Sequence, residues 1–170
     1  MLDLLKIRRA EPEDAIELAA LGYVAWETGI MPLFRENAGM REQEQRRITS
    51  YTRECYRRIV IAELDGEAVG WCSHARERPY VPYLLVAPHC QGRGIGSSLL
   101  RRVESLLELR GFDRVYLETP ADHLRAVRFY EHQGYGILAM KADGHGHYEP
   151  LMSVRLEKRL NPYQGIIDDV

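Results

Sequence analysis

Two hydrophobic periods alternate along this chain. Ile95, Leu99, Val103 and Leu106 recur at three- and four-residue steps with Arg101, Arg102, Glu104 and Glu108 between them. That is the period of an amphipathic helix, and Gly111 stands where such a helix closes. Around it the pattern is one of strands. Ile59 to Leu64, then Asp65-Gly66, then Glu67 to Arg76 predicts an antiparallel hairpin, because Asp-Gly supplies the positive φ angles of a two-residue turn. Tyr80 to Val86 is apolar almost throughout, as expected of a strand covered on both faces. Val115 to Thr119, Ile137 to Lys141 and Met152 to Glu157 predict three more strands.

Toward the N-terminus, Leu4 to Arg9 predicts a first strand. Glu11-Pro12-Glu13-Asp14 predicts a helix start, with proline preset for the first turn and acids at the positive end of the dipole; the helix runs to about Tyr23. Trp26 to Gly39 sets Gly29, Pro32 and Gly39 among large apolar residues and predicts a packed loop or short turns. Arg41 to Arg57 predicts a charged helix whose Arg/Glu run reads as a solvated face. A further helix, about His123 to Gln133, stops at Gly134. Strand, helix, strand and helix from Tyr80 onward predict a right-handed crossover. The sum is an α/β (α+β) fold: a mixed, mostly antiparallel central sheet of about seven strands flanked by about four helices.

With 170 residues, 45% of them hydrophobic, the chain has the size of one domain, residues 1–160 with a short tail at 161–170. Such a length buries roughly 70% of its unfolded surface without metal or disulfide staples. The 23 Lys and Arg against 25 Asp and Glu argue against a nucleic-acid partner, whose phosphates require a basic footprint. Cys55, Cys72 and Cys90 are odd in number and lack paired spacing, so reduced thiols and a cytoplasmic setting are expected. Asp3 and the early arginines leave no signal-peptide core, and no run approaches the roughly 20 apolar residues of a membrane span. A membrane partner is therefore not expected, and a homodimer is left open.

Gln91-Gly92-Arg93-Gly94-Ile95-Gly96 lies between a buried strand and an amphipathic helix. Unpaired amides at a helix start cradle phosphate oxygens, and glycines let the ligand approach the main chain. A Walker loop would require Lys before Ser97, where Gly96 stands. A dinucleotide site expects its glycines after the first strand of a repeated unit, whereas this loop follows the fourth strand.

Three stretches together resemble the GCN5-related N-acetyltransferase superfamily over nearly the whole chain. They are Leu84 to Leu100, with the Gln/Arg-x-x-Gly-x-Gly/Ala acyl-CoA loop, Leu117-Glu118-Thr119, and Ala126 to Tyr135, with a helix tyrosine and a closing Gly-aromatic pair. The resemblance implies acetyl-CoA as co-substrate and no metal. It implies that Gln91, Gly92, Arg93, Gly94, Ile95 and Gly96, with Ser97, hold the pyrophosphate, and that Leu85 and Val86 lie on a splayed edge that pairs with the pantetheine arm. His123 falls where many members carry a pantetheine-contacting Asn. Arg93, Arg101, Arg125 and Arg128 are candidates for the 3′-phosphate.

The chemistry needs a proton acceptor for the amine and a donor for the departing thiolate. Tyr130 matches the family's acid. Glu118 resembles the strand-end glutamate that ribosomal-protein N-terminal acetyltransferases use through water. Many members place the base on the preceding strand, where this chain offers Tyr80 and Tyr83 but no carboxylate. Tyr23, Trp26, Glu27 and Phe34 are candidates to line an acceptor cleft, and these aromatics favour a small-molecule amine over a protein N-terminus or lysine. A non-catalytic acyl-CoA sensor is the reading from another class. Cys90 has no base partner in sequence and is rejected as an acyl carrier, and His145-Gly146-His147 reads as a surface loop rather than a metal site.

Overall fold

The computed structural model describes residues 4–35, 38–143 and 151–162. The order is β1 (Leu5–Arg9), α1 (Ala15–Gly29), α2 (Met40–Cys55), β2 (Ile59–Leu64), β3 (Glu67–Ser73), β4 (Leu84–Val86), α3 (Ile95–Leu109), β5 (Arg114–Pro120), α4 (Leu124–His132), β6 (Gly136–Asp143) and β7 (Leu151–Arg159). The seven strands form two antiparallel sheets, ordered β1-β2-β3-β4 and β5-β7-β6. Mixed α/β architecture with four α-helices is as the periodicities predict.

Local chemistry sets the hairpin. Asp65 and Gly66 both take positive φ, 52° and 86°, and join β2 to β3. β3 is the spine between two cores. Cys72 faces α3 with Val60, Leu99, Val103 and Leu107. Trp71 faces α1 and α2 with Leu18, Met40 and Ile48, and its Nε1 donates to the Leu18 carbonyl at 3.0 Å. Gly22 lets α1 come this close, since a Cβ there would stand 3.0 Å from the Trp71 ring.

Three expectations need correction. α1 does not stop near Tyr23 but continues to Gly29, because Ala25 and Trp26 are buried in the core and carry the helix on. Trp26 to Gly29 is thus helix rather than loop. Tyr80 to Val86 is not one strand: Val81 donates to the Tyr116 carbonyl on β5, Pro82 has no N–H to give, and the Tyr83 carbonyl accepts from Ser73 on β3. Ahead of Pro82 the chain is bonded on both sides, since the Tyr80 carbonyl also accepts from Ala75 at 2.8 Å; beyond Pro82 only the bonds toward β3 continue. Finally, the Arg/Glu run of α2 keeps its solvated face at Glu42, Arg46, Arg47, Arg53 and Glu54, but Glu44 departs from it and joins Met40, Ile48 and Thr52 in a buried row.

The break at Pro82 creates the feature on which function rests. Among the described residues, a parallel bridge at Tyr80 and Tyr116 joins the sheets; beyond it β4 pairs only with β3 and β5 only with β7. The two strands part in a V. Tyr83 and Ala87 turn their polar backbone groups toward β3, and so by alternation does Leu85, which leaves those of Leu84 and Val86 on the open edge. On β5, Tyr116 bonds toward β4, so the backbone of Glu118 faces the opening as well.

Candidate active site

A cleft of about 710 Å³ runs through the V, from α3 and α4 on one side to α1 and α2 on the other. Its first end is the glycine loop. Gly92 and Gly94 have φ of 75° and 81°, a backbone region costly for residues with a Cβ, and Gly94 caps α3 without a side-chain bond. Among the described residues no hydrogen bond is found to the amides of Ile95, Gly96 and Ser97, the orphan donors of a first helical turn. Gln91, Gly92, Gly94, Ile95, Gly96 and Ser97 all line the cleft. Arg93 has an exposed side chain and does not line the cleft.

The Gln91 side chain also ties the loop to the open edge, since its Nε2 donates to the Val86 carbonyl at 3.1 Å. Val86 and Leu85 line the cleft, but the free edge groups are the Val86 N–H and those of Leu84, while Leu85 contributes its side chain. His123 caps α4 and also lines the cleft, and its Nδ1 is buried without a hydrogen-bond partner. Burial, aided by Arg125, holds its imidazole below the usual histidine range and so uncharged near neutrality. Arg125 lines the same end; Arg101 and Arg128 do not. Orphan amides on a helix dipole, an unpaired imidazole nitrogen and a free strand edge fit a phosphorylated ligand with an amide-bearing arm.

Tyr130 and Glu118 both line the cleft, and each lies near Tyr80. The Tyr130 ring packs edge-on against Phe129 and Tyr135 at 5.2 and 5.7 Å. Burial pushes its phenol well above the usual range, with Cys72 and Tyr80 adding to the effect, so it stays protonated and can donate. Glu118 lies on β5 with its side chain 16% exposed and Lys141 Nζ 3.6 Å from its carboxylate. Tyr80 sits close by; burial raises its phenol first, and Glu118 raises it further.

The second end of the cleft is aromatic. Trp26 and Phe34 line it, but Tyr23 and Glu27 do not: Tyr23 packs on Trp26 at 5.9 Å, and Glu27 is paired with Arg41. Sequence reasoning missed Glu44, Arg47 and Tyr51 of α2, which line this end with Tyr83. Tyr51 and Tyr83 rings meet at 4.7 Å, and burial pushes the Tyr83 phenol up to about 12. The signal was present as Glu44 and Ile48 four residues apart in the row begun by Met40.

Cys90 is buried and lines the cleft, Cys72 is buried, and Cys55 is half-buried. Among the described residues no group of three or more His, Cys, Asp or Glu is placed to hold a metal, and no helix is long and apolar enough to cross a membrane. His145 and His147 lie outside the described residues.

The family profile of the acetyltransferase (GNAT) family matches residues 20–135. A mycothiol acetyltransferase of Beutenbergia cavernae is 43% identical over 61 residues, which are 35% of this chain and 20% of that protein, so the match spans a fifth of the relative's length. In fold, the chain is similar to a GCN5-related N-acetyltransferase of Rhodopseudomonas palustris, with a TM-score of 0.75 at 22% identity over 94% of this chain and 99% of that one. It is also similar to the PaiA N-acetyltransferase of Thermoplasma acidophilum in complex with coenzyme A, with a TM-score of 0.67 at 18% identity over 92% and 99%.

Proposed function

The chain belongs to the acetyltransferase (GNAT) family, and from that premise we propose that it moves the acetyl group of acetyl-CoA to a primary amine of a small molecule by direct attack. The observation that carries this reading is the continuous cleft that begins at the orphan amides of α3, passes Glu118 and Tyr130, and ends among aromatic side chains.

The division of labour follows from where the protons must go. With an amine pKa of about 10.4, only about one molecule in a thousand or fewer is neutral at pH 7, so attack requires removal of a proton. Glu118 takes it, directly or through a water, in the opening between β4 and β5. The amine nitrogen bonds to the thioester carbon, the carbon–sulfur bond breaks, and the thiolate leaves. Tyr130, kept protonated by burial, donates a hydrogen bond to that sulfur as negative charge develops on it and so stabilises the leaving thiolate. Main-chain amides of the loop hold the pyrophosphate, while the Val86 edge and His123 orient the arm. Among the described residues no hydrogen bond joins the buried Cys90 thiol to a base, which favours direct transfer over an acyl-enzyme.

The aromatic end favours a small acceptor over a protein terminus or lysine. Thiol release from acetyl-CoA over a panel of amines tests the reading. Amine-dependent turnover is expected, and coenzyme binding without turnover on any amine or peptide would instead mark a sensor.

A further inference from the structure

We propose that the acceptor carries a second cationic nitrogen, held by Glu44 at the far end of the cleft while the first is acetylated beside Glu118; the substrate class is a diamine or longer polyamine. This rests on the reading that the aromatic end receives the acceptor.

The buried row of α2 is Met40, Glu44, Ile48 and Thr52. Thr52 is satisfied by the Ala15 carbonyl at 2.9 Å. Glu44 is 4% exposed, and a carboxylate in such a row is costly unless it serves a partner. Its Oε1 accepts from Arg47 Nη1 at 2.6 Å, but no hydrogen bond to Oε2 is found among the described residues, and the side chain lines the cleft. Arg47 has a side chain 54% exposed, so water screens its charge far more than that of the carboxylate it orients.

The walls suit a cation too. Trp26, Phe34, Tyr51 and Tyr83 surround this end, and their ring faces attract ammonium groups. The Tyr51 and Tyr83 phenols are both held in their uncharged forms by burial. Tyr83 lines the cleft together with Glu44, Arg47, Tyr80 and Glu118. Because Glu44 and Glu118 line one cleft with these rings, the proposed acceptor lies along it with a nitrogen directed to each carboxylate.

The test compares butylamine, diaminobutane and aminobutanoate as acceptors, by turnover with acetyl-CoA and by calorimetric binding to the coenzyme A complex. A charged hydrogen bond is worth about 1.5–3 kcal/mol, so diaminobutane should exceed butylamine about tenfold or more in kcat/KM and in affinity. Glu44→Gln should bring that ratio toward one, chiefly through KM. Equal use of the two amines by the wild type, or preference for aminobutanoate through Arg47, would overturn the proposal without recourse to any variant. If no amine is acetylated, the proposed activity fails, and the calorimetric ratio alone still decides whether Glu44 reads a second charge.

Discussion

Tyr80 and Tyr116 pin the two sheets together. The Tyr116 N–H donates to the Pro79 carbonyl at 2.9 Å, its own carbonyl accepts from Val81 at 3.0 Å, and the two rings pack at 5.1 Å. The bridge is the apex of the V, with Glu118 two residues along one arm and Leu84 to Val86 on the other. Arg155 lies over the Tyr116 ring at 3.7 Å, a second contact beside that of Tyr80. Tyr116→Leu should lower stability by about 1–2 kcal/mol through the lost ring and cation contacts, read by chemical denaturation. No change would mean that the backbone bridge alone holds the apex.

Tyr130→Phe removes the proposed donor and keeps the packing against Phe129 and Tyr135. Steady-state kinetics should show kcat lower by about a hundredfold or more, the usual scale of general acid catalysis, with coenzyme affinity within about twofold. An unchanged kcat would return Tyr130 to a packing role.

Glu118→Gln leaves the amine to lose its proton in bulk solvent. Turnover should fall at neutral pH and then climb tenfold per pH unit toward the amine's own pKa, as the neutral fraction grows. A variant whose pH profile parallels that of the wild type would exclude Glu118 as the base.

What the sequence revealed was local. The Asp65-Gly66 turn and the glycines ahead of α3 are legible because positive φ is demanded by neighbouring backbone alone, and the period from Ile95 to Leu106 names its own buried face. Non-local choices were not legible. The insertion of β7 between β5 and β6 depends on which distant edges meet, and the break at Pro82 depends on Tyr116 bonding Pro79 and Val81 while Ser73 bonds Tyr83. Glu44 was hidden by its charged neighbours: within the Arg/Glu run only the spacing to Met40 and Ile48 marks it as inward. Glu27 misled in the other direction, because its partner Arg41 is far along the chain.

His123 predicts an acid-side loss of stability. Burial, then Arg125, depresses its folded-state pKa, so the unfolded chain takes up the proton first as pH falls. Stability should be complete above the ordinary histidine value of about 6.5 and decline as pH drops from there through the depressed value. His74 is depressed in the same direction, mainly by burial, so His123→Gln should shrink this decline rather than abolish it in thermal unfolding curves. A decline of the same size in the variant would show that His123 is not a source of it.

Amide-resolved NMR during titration with acetyl-CoA asks whether the coenzyme lies in the V at all. The largest shifts should fall on the amides of Gly92 to Ser97 and on Val86, with the His123 ring following. Saturable binding that leaves these amides in place and moves a different surface would refute the site.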